Sequence, residues 1–101
     1  METVESINLI SRKPGVRGGR PCIIGTGLKV SDIVMAELYH HQTPDQMAVS
    51  YGVTLAQVYA ALAYYHLNKD EIDTDIRNHI KKSRELRDKH VGSEQASLLS
   101  G

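Results

Sequence analysis

Apolar positions recur at helical spacing through most of the second half of the chain. Val30, Ile33, Val34 and Leu38 fall on one face of a helix expected over about 31–41. Val58, Leu62 and Tyr65, preceded by Leu55, form a stripe over about 55–67, and Ile72, Ile76 and Ile80 form another over about 70–90. A shorter segment, 44–51, carries Ala48 on its inner side. Helix starts are marked by caps. Thr43 is followed by Pro44 and, three residues on, by Gln46; Thr54 repeats the device with Gln57. Asn68 with Glu71 reads as a third such box, and Ser31 as the cap of the first helix, with Asp32 in its first turn.

The segment TPDQMAVSYGVTLAQVYAAL has helix-turn-helix spacing. Two helices crossing steeply need a small residue at the contact, here Ala48. The corner between them needs a residue that accepts positive φ, here Gly52. N-terminal to the helices the pattern shortens. Ile7–Ile10 reads as a strand. Pro21–Ile24 and Leu28–Val30 read as two small strands joined by Gly25-Thr26-Gly27. The fold class expected is therefore mainly α: a three-helix core with a small N-terminal β element (7–30) and a C-terminal helix. It forms one domain over 1–91, with a flexible tail over 92–101.

Composition narrows this. The 101 residues include no Phe and no Trp, so aliphatic residues and five Tyr must fill the core. A core that small favours completion by a second copy, and a homodimer is expected. No apolar run reaches the length of a membrane span, and METVESINLI lacks the features of a secretory signal. One cysteine, Cys22, fits a reducing cytoplasm.

Twelve basic and twelve acidic residues cancel in number but not in position. Ser6–Ser31 holds Arg12, Lys13, Arg17, Arg20 and Lys29 without an acid. His41–Asp75 holds Lys69 against five acids. Ile76–Val91 holds six basic residues, among them Lys81, Lys82, Arg84 and Arg87, against two acids. Either basic end suits phosphates or an acidic protein; solvated surface is the plainer account.

Other chemistry is thinly represented. Five histidines and Cys22 show no spacing suited to a metal, so no metal or cofactor is expected. The Gly15–Gly19 loop lacks the Gly-Lys-Ser/Thr step of a phosphate loop. Asp70, Glu71, Asp73 and Asp75 read as charges favouring a helix start rather than as paired catalytic groups. Tyr64-Tyr65 reads as packing against Tyr39 or Tyr51. No nucleophile–base arrangement stands out. Neither an enzyme nor a small-molecule substrate is expected.

Two blocks carry a family resemblance. Gly19-Arg20-Pro21, Ile24-Gly25-Thr26 and Val30 form the first. Thr43-Pro44-Asp45, then Thr54, Val58, Ala61, Leu62 and Tyr64, form the second. Together they resemble the family called domain of unknown function 433 (DUF433), over roughly residues 7–76. Gly27 departs from the pattern, since the family usually has Arg after Gly-Thr; Lys29 is the nearest substitute. The resemblance implies a homeodomain-like core and a place among antitoxins of toxin–antitoxin pairs. It further implies a PIN-like ribonuclease as partner and contact with the operon's own promoter.

On the residues themselves, the second helix of the corner offers bases only Thr54 and Gln57. Promoter phosphates would fall to Arg12, Lys13, Arg17, Arg20 and Lys29, and the toxin to Lys81, Lys82, Arg84 and Arg87. The alternative is an interaction and dimerisation module that uses the same fold without touching nucleic acid.

Overall fold

The computed structural model describes residues 1–100, with side chains described through Lys89. It is mainly helical, as expected, with a two-stranded N-terminal element. The order is β1 (Ile10–Ser11), β2 (Cys22–Ile23), α1 (Val30–His40), α2 (Pro44–Tyr51), α3 (Leu55–Leu67) and α4 (Lys69–Ser100). The tail expected over 92–101 lies outside the residues whose side chains are described.

α1 is central and packs against the other three helices. Ile23, Val30, Ile33, Met47, Val58, Ala61, Tyr65, Ile72 and Ile76 meet in one core. Full burial of each large aliphatic side chain contributes about 1.5–3 kcal/mol. Two expected core positions do not join it. Leu38 is 48% exposed, because the inward contacts of α1 finish at Ala36. Leu55 is 40% exposed, because it sits in the first turn of α3, ahead of Val58 where the buried face begins.

The corner between α2 and α3 bends the chain by 117°. Gly52 makes it with φ 66°, donating its N–H to the Ala48 carbonyl. Both capping boxes form. The Thr43 hydroxyl oxygen accepts from Gln46 N–H at 3.2 Å, and Gln46 Oε1 accepts from Thr43 N–H at 2.9 Å. The corresponding Thr54 and Gln57 distances are 3.1 and 2.7 Å.

Elsewhere tertiary demands override the local signals. β2 pairs antiparallel with β1 (Ile10 opposite Ile23, Ser11 opposite Cys22), not with a full strand at 28–30. The glycine turn does form, with Gly25 at φ 79°. Its second arm, however, contributes only a bridge from Lys29 to Cys22. Val30, fully buried, already belongs to α1. Lys29 therefore flanks the helix in place of Ser31, and its N–H is accepted by Asp32 Oδ2 at 2.9 Å. Ser31 is buried in the first turn. Asn68 closes α3 rather than boxing with Glu71. Its side-chain amide and its N–H both donate to the Tyr64 carbonyl, because one residue separates the helices and the last carbonyls of α3 need donors.

Candidate functional site

The basic residues near the N-terminus do not form a free patch. Arg12 ion-pairs with Glu71 and donates to the Tyr64 hydroxyl at 2.7 Å. Glu71 first, and Tyr64 second, hold the Arg12 pKa above its ordinary value. Arg20 Nε faces both carboxylate oxygens of Asp75, at 2.8 and 3.0 Å, and a second guanidinium nitrogen donates to the Arg17 carbonyl at 3.2 Å. Lys29 lies 3.9 Å from Asp32. The basic stretch thus folds back onto the acidic first turns of α4, and two arginines clasp the loop to that helix. Glu71, Asp75 and Tyr64 were not among the expected site residues. The alternation of basic and acidic blocks was the signal available for Glu71 and Asp75; no such signal marked Tyr64.

Lys13 and Arg17 make no ion pair among the described residues. Arg17 has an unusual backbone. It opens a tight turn, Arg17–Gly19, whose residues have φ of 49°, 66° and 74°. Its Nε donates to the Gly27 carbonyl at 3.0 Å. A Cβ at position 27 would lie 2.7 Å from an Arg17 guanidinium nitrogen. Arg17, and not Lys29, therefore stands where a side chain at 27 would begin. The glycine that departs from the DUF433 pattern is the space this guanidinium uses.

Beside that contact lies a concavity of roughly 380 Å³, lined by Ser11, Lys13, Val16, Arg20, Cys22 and the turn from Ile23 to Gly27. Burial pushes the Cys22 thiol pKa up, while Arg17 is the largest influence pulling it down.

Thr54 and Gln57 sit at the start of α3, but their side-chain oxygens are engaged in the capping box. The remaining exposed residues of α3 are Leu55, Ala56, Tyr59, Ala63, His66 and Leu67, which give bases little to read. The adjacent tyrosines do not pack as expected. Tyr65 is buried and donates to Asp73 Oδ1 at 2.8 Å, Tyr64 meets Arg12, and Tyr39 and Tyr51 are exposed.

On α4 the buried stripe ends with Ile76, and Ile80 is half-buried. Every residue from Lys81 to Lys89 is exposed, including Lys81, Lys82, Arg84 and Arg87. Arg84 follows Ile72, Ile76 and Ile80 at the same four-residue step, so the stripe that docks the helix turns cationic where the helix leaves the domain. No metal-binding cluster of His, Cys, Asp and Glu occurs among the described residues. Among the described residues, no single helix is long and apolar enough to cross a membrane.

Comparison with known proteins agrees with this architecture. Residues 10–65 match the family described as "Protein of unknown function (DUF433)". A crystal structure of a DUF433 member from Anabaena variabilis ATCC 29413 is 33% identical, with 68% of each chain covered and a TM-score of 0.63. Among proteins with curated descriptions, none matches. The matched segment runs from β1 to Tyr65, in the last turn of α3, and takes in the loop, the glycine turn and the 117° corner. On that match the chain belongs to the DUF433 family.

Proposed function

We propose that this protein is an antitoxin-like regulator of the cytoplasm. Its outer α4 segment captures and neutralises an acidic partner, of which a PIN-like ribonuclease is the type. Its N-terminal loop makes a secondary contact with promoter phosphates. One observation carries the reading. The span 81–89 is helical, exposed at every residue and rich in Lys and Arg, and it makes no ion pair among the described residues. A helical segment with no core beneath it is marginal in water, and a partner surface is what secures it. Lys81, Lys82, Arg84 and Arg87 suit a cluster of carboxylates, arginine through paired N–H donors and lysine as a point charge. If those carboxylates hold a nuclease metal, neutralising them removes the site that binds it.

Co-expression with the product of the adjacent gene tests this. A complex that survives purification and weakens with salt supports the reading, and separate elution of the two proteins contradicts it.

A second reading, a dimerisation module without nucleic-acid contact, is favoured by exposed Leu38, Tyr39, Val49, Leu55 and Tyr59. A promoter-shift assay over a salt series separates the two. Phosphate contacts give a shift that fades steeply as salt rises, and the module gives none.

A further inference from the structure

Among the described residues, Lys13 and Arg17 are the loop cations that the clasp leaves over; Arg20 also lines the concavity but is held by Asp75. Lys13 lines the concavity, and Arg17 rests on Gly27, which also lines it. Ser11 is on the same wall, and Val16 and Ile24 line it too. Arg17 has φ 49°, a region that an L side chain resists and glycine enters freely. Gly18 and Gly19 complete the turn without that resistance. An arginine kept in such a place is a lead to function, because its backbone alone would be served better by a third glycine. Its Nε–H is fixed on the Gly27 carbonyl, so its remaining N–H donors are held in a set direction.

From this we propose that the concavity between the Lys13–Gly19 loop and the Gly25–Gly27 turn is a nucleotide-phosphate site. Arg17 and Lys13 bind the phosphate, and the volume beyond takes the sugar attached to it. At roughly 380 Å³ the space lies at the small end of ligand cavities, which begin at about 300 Å³. The inference rests on the phosphate half of the proposed function and narrows it. Arg12 and Arg20 become structural, and the phosphate falls to Lys13 and Arg17. The ligand is a phosphate ester, supplied either by a nucleic-acid backbone or by a free nucleotide.

The test is an amide-resolved NMR titration of the full chain at fixed ionic strength. Adenosine monophosphate is one probe and a short random-sequence DNA duplex the other. Saturable shifts at Lys13 and Gly25–Gly27 are expected with the duplex, and with the nucleotide too if free esters are accepted. The Lys13→Ala/Arg17→Gly variant should bind at least about tenfold more weakly, the usual loss for a charge-assisted bond. Glycine accepts the Arg17 backbone, so the loop is kept. Lys13→Glu, which leaves Arg17 untouched, should weaken both probes as well. The proposal is overturned if neither probe shifts these amides, or if the variants bind as tightly as the parent. Duplex binding that survives both variants would leave promoter contact standing and remove this site. Capture of a partner by α4 is measured separately and is indifferent to either result.

Discussion

Gly52 holds the backbone at φ 66°, and a Cβ built there meets no atom within 4 Å. The cost of a side chain at this corner is therefore conformational and not steric. Gly52→Ala should lose about 1–2 kcal/mol. In a domain of this size each kcal/mol lowers Tm by roughly 4–8 °C. Thermal unfolding followed by circular dichroism checks this, and an unchanged Tm would contradict the left-handed corner. His41, at φ 52° and closing α1 by its N–H to the Ala36 carbonyl, is the reverse case. His41→Gly should raise Tm, because glycine accepts that cap conformation without strain. Tyr65 supplies the pH dependence. Burial first, and the hydrogen bond to Asp73 second, push its pKa up to about 12. The unfolded phenol ionises near ~10. The folded state thus holds the proton more tightly. This stability is whole below about pH 10 and is lost as pH climbs through about 12. Unfolding curves of wild type and Tyr65→Phe should converge over that window, and parallel curves would contradict the buried Tyr65–Asp73 bond.

Single elements show what the sequence made legible. The Thr43–Gln46 and Thr54–Gln57 boxes lie three residues apart, and a donor and acceptor that close meet whenever the helix forms. Gly52 was legible for the same reason. Asn68–Glu71 has identical spacing, yet Glu71 meets Arg12 and Asn68 is taken by α3. A guanidinium from the far end of the chain competes better for a carboxylate than a neutral backbone N–H does. The clasp itself joins residues 55 positions apart for Arg20 and Asp75, beyond the reach of any local pattern. Ser31 was misleading because the burial of Val30 starts α1 early. The candidate site was half legible: the cations could be counted from the sequence, but which of them the fold leaves unpaired could not. Thr54 follows from its box. Thr54→Ala should cost about 1 kcal/mol of stability. At temperatures where the variant remains folded, any promoter shift should be unaltered. A large loss of shift from a folded variant would make Thr54 a base contact instead.

At the scale of the whole molecule, two differently built parts share one chain. Residues 10–65, the family segment, hold the loop, the corner and most of the core. Residues 81–89 of α4 lie beyond that segment and beyond the core. Arg12–Glu71 and Arg20–Asp75 tie the loop to the first turns of α4, where Ile72 and Ile76 also join the core. Being exposed, these pairs add about 0–1 kcal/mol each and act mainly in fixing position. The central claim is that the projecting cationic turns of α4 hold the partner. Calorimetric titration of the adjacent gene's product into the full chain tests it most directly, with Lys81→Glu/Lys82→Glu/Arg84→Glu/Arg87→Glu run beside the parent. The account predicts a tight complex for the parent and at least about a hundredfold loss for a charge-reversed variant that unfolds at the parent's temperature. Equal affinity for both chains, or no heat with either, would contradict it.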